Sequence, residues 1–234
     1  MSQAIRALQP GEPAPAFSLP AANVGGVVSL ADLRGRPFLI GLFRGLHCPF
    51  CRRQLRQFSA LQPALREAGV ETLAVINTPL ERARLYLQFQ PTPVTVLCDP
   101  ECRTHRDFGV PRVVFAPADG EEKKQWPFHA SFEQFAAARI NPNDEMAEPA
   151  HPMEANTVLN TKDGFELNDV DRSIFENHGT QLVGHFLVDG SGHIAWAEVE
   201  ARNGPEGLGT LPTAEQIIAA AGDVAVSSAN QGPR

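Results

Sequence analysis

Residues 37–58 read PFLIGLFRGLHCPFCRRQLRQF. The run from Pro37 to Phe43 is continuously apolar, the composition of a strand buried on both faces. From Cys48 onward the spacing changes. In CPFCRRQLRQFSALQPALREAG, Leu55, Phe58, Leu61 and Leu65 recur every three or four residues, which predicts a helix. Pro49 suits its first turn, Pro63 is expected to kink or break it, and Gly69 to end it. Cys48 therefore stands where a buried strand runs into a helix.

That position favours a thiolate. The free N–H groups and positive dipole end of a helix stabilise negative charge. With cations nearby, a thiol there drops from about 8.5 into a range of about 3.5–7.5. Arg44, Arg52 and Arg53 supply cations by sequence, and His47 adds one if protonated. Cys51 lies one helical turn on, so its sulfur reaches Cys48. The expected division of labour is an exposed, nucleophilic Cys48 and a more buried Cys51 that closes a disulfide after Cys48 has reacted. A CxxC pair is also half a zinc site, or inert. The strand-CPFC-helix setting favours redox chemistry.

Outward from this stretch the chain keeps a regular rhythm. PGEPAPAFSLP, AANVGG and VVSL predict an N-terminal β-hairpin. VETLAVIN and VTVLC are further strands, PLERARLYLQF is a helix, and DPECRTHRDFG is a helix framed by Asp99 and Gly109 as caps. Strand-helix alternation of this kind marks an α/β fold with parallel strands covered by helices. Residues 111–180 interrupt it. They read as an insertion with one helix, SFEQFAAARI, and otherwise turn chemistry, packed on the sheet edge or over the active-site end. QLVGHFLVD, GSG and HIAWAEVE then predict a last β-hairpin, and TAEQIIAAAG a helix with a Thr213/Gln216 capping box. Residues 1–222 read as one domain and 223–234 as a flexible tail.

Charge is unevenly placed. Residues 111–180 hold 13 carboxylates against 6 Lys or Arg, whereas the rest is balanced at 14 of each. Between Gly35 and Arg66 there are six arginines and no carboxylate. An acidic chain with one local basic patch is a poor nucleic-acid binder, and the patch is better suited to a thiolate or an anion. No apolar run is long enough to span a membrane, and the N-terminus lacks the apolar core of a signal peptide. The expectation is a cytoplasmic protein with neither nucleic-acid nor membrane partners. Cytosolic thiols are kept reduced, so the four cysteines point to catalysis or metal binding before structural disulfides.

The quoted segments resemble a known family. Residues 10–45, VTVLCDPECRTHRDFGV and GHFLVDGSGHIAWAEVE are similar to the alkyl hydroperoxide reductase and thiol-specific antioxidant family, the peroxiredoxins, over residues 10–110 and 181–221. FRG-x-x-CPFCRRQL resembles the subgroup with CxxC where the peroxidatic cysteine stands. The resemblance implies a thioredoxin-like fold, a central mixed sheet flanked by helices. It implies peroxide reduction with regeneration by an external thiol such as thioredoxin or glutathione, no cofactor, no metal, and pairing into a homodimer. Two departures stand out. Where the family carries Pro-x-x-x-Thr-x-x-Cys, this chain has Gly41 and Gly45. Where it carries an Arg before the late hairpin, this chain has Val183. Arg44 is the candidate replacement, with backbone N–H groups of residues 45–48 as donors to a leaving alkoxide.

Two other readings use the same residues: a disulfide reductase or a reductase of a specialised small molecule, and a metal-binding or redox-sensing protein. Gly45, His47 and Phe50 are candidates to line a substrate site. Cys98 and Cys102 are candidate secondary thiols, with Cys98 best read as a buried strand residue and Cys102 near the carboxyl end of a strand. Pro111 is the nearest proline able to face the dithiol. His105 and His185 read as structural, and Trp126 and Trp196 as core or cover.

Overall fold

A computed structural model of the chain describes residues 6–115 and 129–229, with side chains through Val224 at the C-terminal end. The N-terminal hairpin is present: β1 (Ser18–Pro20) pairs antiparallel with β2 (Val27–Ser29). The apolar run becomes β3 (Phe38–Phe43), every residue of which is buried. It leads into α1 (Pro49–Glu67), with Cys48 as N-cap and Pro49 in the first turn. β4 (Glu71–Ile76), α2 (Leu80–Phe89), β5 (Thr95–Cys98) and α3 (Arg103–Asp107) follow.

β3 is central because it is apolar on both faces. The sheet order is β5-β4-β3-β8-β9, with β8 (Gly184–Val188) and β9 (Ile194–Val199) forming the late hairpin. β3, β4 and β5 are mutually parallel, while β8 runs antiparallel to both β3 and β9. This is the mixed, helix-flanked sheet of a thioredoxin-like fold. α1 packs against β4.

Three helix boundaries differ from the expectation. Pro63 sits inside α1 without ending it. Phe58, Gln62 and Leu65 around it are buried, and Gln62 Nε2 donates to Pro93 O at 2.8 Å, so tertiary packing outweighs the missing N–H. Gly69 does end the helix, with φ of +75° and its N–H on Arg66 O. α3 starts at Arg103 behind Cys102, not at Asp99, although the Asp99 carboxylate still accepts from Thr104 N at 2.7 Å. The last helix, α7 (Ala214–Ala229), carries the Thr213/Gln216 box and continues past residue 222, into the stretch that reads as a tail. Buried Ile217, Ala221 and Val224 share one face of it at helical spacing and keep it docked.

The insertion is more ordered than its turn-rich sequence suggests. Val114–Phe115 (β6) pairs with His129–Ala130 (β7). α4 (Phe132–Ala137), the expected helix, opens on a Ser131/Gln134 capping box. Two further helices have no counterpart in the sequence reading, α5 (Pro152–Lys162) and α6 (Asp169–His178). α5 buries only Ala155, Leu159 and Asn160, so its apolar periodicity is faint. It is set by Pro152 in its first turn and by packing on α1. α6 begins with a reciprocal Asn168/Asp171 capping box. Trp126 lies outside the described residues.

Candidate active site

The N-terminal turn of α1 puts Cys48 beside Arg44. Arg44 Nη1 lies 3.8 Å from Cys48 Sγ. The other end of that guanidinium pairs with Glu200, just after β9. Glu200 is itself buried and held from three sides: Oε2 also accepts from Val183 N at 3.1 Å, and Oε1 from Gly209 N at 2.9 Å. Val183, where the family pattern has an arginine, thus anchors through its backbone the carboxylate that orients Arg44.

The two thiols are driven apart in acidity. Burial opposes a Cys48 thiolate, but a hydrogen bond from the Cys51 thiol and the Arg44 charge outweigh it and bring Cys48 down to about 6. Cys51 moves well above an ordinary thiol, because it is buried and donates to the Cys48 sulfur. Burial also opposes the Arg44 charge, yet Glu200 and the two sulfurs hold it firmly protonated. One sulfur is thus charged and the other keeps its proton at neutral pH.

The site differs from expectation in several respects. Cys48 is not exposed: it and Cys51 are each 2 % accessible. Arg52 and Arg53 do not face the thiol. They follow the helix round to the insertion, where Arg52 meets Asn160 and Asp163 at 2.8 and 2.6 Å and Arg53 meets Glu145 and Asp163. His47 adds no cation, since burial lowers it to about 4. Two of the backbone donors expected to serve an alkoxide are already used: Leu46 N donates to Thr78 Oγ1 and Cys48 N to Gly45 O.

Arg44, His47, Cys48, Phe50 and Glu200 line one cavity of about 70 Å³. The insertion contributes Phe135, Ile140, Pro152, Met153, Asn156 and Phe175 to its walls. Gly45 stands beside this site with φ of +146°, and a side chain there would collide with Asn77 and Thr78. Its lack of a hydroxyl is therefore a packing requirement of this chain. At Gly41 the Phe43 ring fills the corresponding space.

Cys98 and Cys102 are buried free thiols, pushed by burial to about 12 and about 11. Cys102 and Pro111 border a separate cavity with His178 and Gln181. Burial keeps His105 near 4 and His185 near 3; His185 sits between Phe43 and Phe58 and bonds Gln54 Oε1 at 3.0 Å. No group of three or more His, Cys, Asp or Glu side chains able to hold a metal ion occurs among the described residues. None of their helices is long and apolar enough to cross a membrane.

Sequence reading misses Glu200, Asn160, Asp163 and Glu145. One signal points to the last two: a carboxylate-free stretch of arginines and a carboxylate-rich insertion in one chain.

With this geometry in place, the relatives are informative. Residues 10–126 match the AhpC/TSA family, and the chain belongs to that family. The chain is 26% identical over 112 residues to the chloroplastic peroxiredoxin Q of Suaeda salsa, covering 48% of this chain and 52% of the relative. It thus spans about half the length of the curated relatives it matches. Among solved structures it resembles the reduced 2-Cys peroxiredoxin of Plasmodium vivax, with a TM-score of 0.56, 14% identity, and coverage of 96% of this chain and 99% of that one. It also resembles the bacterioferritin comigratory protein of Xanthomonas campestris, with a TM-score of 0.54, 14% identity, and coverage of 93% and 99%. At these identities the structural likeness defines the shared thioredoxin-like fold.

Proposed function

We propose that the protein is a thiol-dependent peroxidase in which Cys48 is the nucleophile, Cys51 the resolving thiol and Arg44 the electrostatic helper. The observation that carries this reading is the acidity split within one buried pair: Cys48 near 6 beside Arg44, Cys51 well above an ordinary thiol. Membership of the AhpC/TSA family supports it. So does the alkyl peroxide reduction activity of the Xanthomonas campestris protein that shares its fold.

The Cys48 thiolate attacks one peroxide oxygen. The O–O bond breaks, its electron pair leaves on the alkoxide, and Cys48 becomes a sulfenic acid. Arg44 lies next to the developing charge. The Cys51 sulfur then attacks the sulfenic sulfur, water leaves, and a Cys48–Cys51 disulfide remains. An external thiol supplies two electrons and two protons to restore the pair. Cys48 is only 2 % accessible, which favours a small peroxide over a protein disulfide as its first reaction partner.

The test is to mix the reduced protein with one equivalent of peroxide and follow Cys48 by mass spectrometry. Cys48 is expected to oxidise orders of magnitude faster than a free thiol of the same acidity. In Cys51→Ser the reaction is expected to stop at sulfenic acid, and in Cys48→Ser not to begin. Oxidation no faster than the free thiol removes the proposal.

A further inference from the structure

The insertion covers Cys48, and the way it is attached has a consequence for which molecules arrive there. The cavity over the sulfur is about 70 Å³. One water needs roughly 10–15 Å³ of such space, and pockets for drug-sized ligands run to about 300 Å³ or more. Hydrogen peroxide or a short alkyl hydroperoxide fits this space, whereas an aryl or long-chain hydroperoxide exceeds it, although the cavity opens to solvent past Met153 and Phe175. The walls that would have to move belong to the insertion: Phe135 of α4, Pro152 and Met153 of α5, and Phe175 of α6.

Phe135, Ile140, Ala155 and Leu159 join the insertion to the apolar core, and beside these contacts a polar set ties it to the dithiol helix. Arg52 is 1 % exposed and its guanidinium reaches three places at once: Leu46 O in the loop before Cys48, and Asn160 and Asp163 at the end of α5. It also lies over the Phe165 ring, 4.2 Å from its centre. Arg53 ties Pro49 O, in the first turn of α1, to Glu145 and Asp163. Asn160 Nδ2 points back to His47 O at 3.5 Å. Asp163 is shared by both arginines, so it is the hub. The apolar contacts are spread over an area, whereas the charged contacts converge on Asp163, so removing that carboxylate loosens the latch at one place.

We infer that Asp163 and Glu145 are specificity-determining residues: by latching the insertion to Arg52 and Arg53 they restrict Cys48 to small electrophiles, and bulky ones react only when the latch opens. The inference rests on the reading of Cys48 as the reacting thiol. Neither carboxylate lines the Cys48 cavity, so both act through the position of the cover.

The experiment uses the full chain, reduced, as wild type, Glu145→Gln and Asp163→Asn. Alkylation of Cys48 by iodoacetamide and by a bulky aryl maleimide is timed by peptide mass spectrometry. In the wild type, the bulky-to-small rate ratio is expected to fall far below that of a free thiol. Asp163→Asn is expected to raise the ratio by about ten-fold or more, the size of effect that loss of a buried ion pair produces on an opening equilibrium, and Glu145→Gln, whose pair is partly exposed, by about three- to five-fold. The iodoacetamide rate should stay within about two-fold. Glu145 is partly exposed, so Glu145→Gln keeps the test valid if Asp163→Asn fails to fold; circular dichroism establishes which variants are native. A wild-type ratio equal to that of a free thiol, or a ratio unmoved in a folded variant, overturns the inference. A parallel series with hydrogen peroxide and cumene hydroperoxide separates the two claims. If alkylation responds but neither peroxide oxidises Cys48, the latch stands and the peroxidase reading falls. If both peroxides react and the alkylation ratio is unmoved, the reverse holds.

Discussion

The five-stranded sheet and the 111–180 insertion are built on different physics. The sheet rests on apolar burial: β3 is wholly buried, and Phe58 of α1 packs against Phe43 and His185 beneath the dithiol. The insertion reaches the same apolar core through Phe135, Ile140 and Leu159, but adds capping boxes, short helices and a cluster of arginine-carboxylate contacts on α1. The first arrangement is stiff and places Cys48 at a helix N-terminus. The second is adjustable and decides what reaches it. On the proposed reading, a family fold keeps its dithiol while a local addition sets what reaches it.

The largest expected effect lies in the sheet half. Phe58→Ala removes a fully buried ring and should cost about 3–5 kcal/mol in denaturant unfolding. A loss under about 1 kcal/mol would mean that the core is not what holds Cys48 in place. Next comes the link between the two hairpin strands and the thiol. In the wild type, thiolate absorbance and alkylation rate should rise with pH through about 6 and then level off. Arg44→Gln removes the cation and should move that midpoint up toward an ordinary thiol at about 8.5, slowing Cys48 severalfold or more at about pH 6.5. Arg44→Lys should recover part of the shift; no movement in either variant would assign the acidity to Cys51 and the helix alone.

The smallest effect on stability belongs to the latch. Glu145→Gln should cost no more than about 1 kcal/mol, because the pair is partly exposed, even though it changes access. Arg53 holds the Glu145 carboxyl down to about 2 from 4.5. A depressed carboxylate contributes stability that is present above its unfolded value and lost as pH falls through the folded one. The latch should therefore weaken between about pH 4.5 and 2, seen as a rising bulky-to-small alkylation ratio after correction for the thiolate fraction. A ratio flat across that window in still-folded protein would detach Glu145 from the latch.

Much of the sheet is legible in the sequence because each strand and helix signals itself locally. The apolar run before Arg44, the Leu55-Phe58-Leu61-Leu65 spacing and the Thr213/Gln216 box all become the elements they suggest. α5 is not legible, since a helix that buries three residues carries little periodicity. Along the sequence the arginine patch reads as a single electrostatic unit serving the thiol. The structure divides it: Arg44 serves Cys48, while Arg52 and Arg53 serve the insertion.

The sequence by itself determined that a buried strand delivers Cys48 to a helix N-terminus with Cys51 one turn behind, because neighbours along the chain suffice to define a strand, a helix and their junction. Only the tertiary structure decided which arginine meets the sulfur, that Glu200 orients it from 156 residues away, and that Cys48 lies under a cover. Charges act through space, and which charges face each other is set by how distant segments pack, a property that local periodicity does not contain.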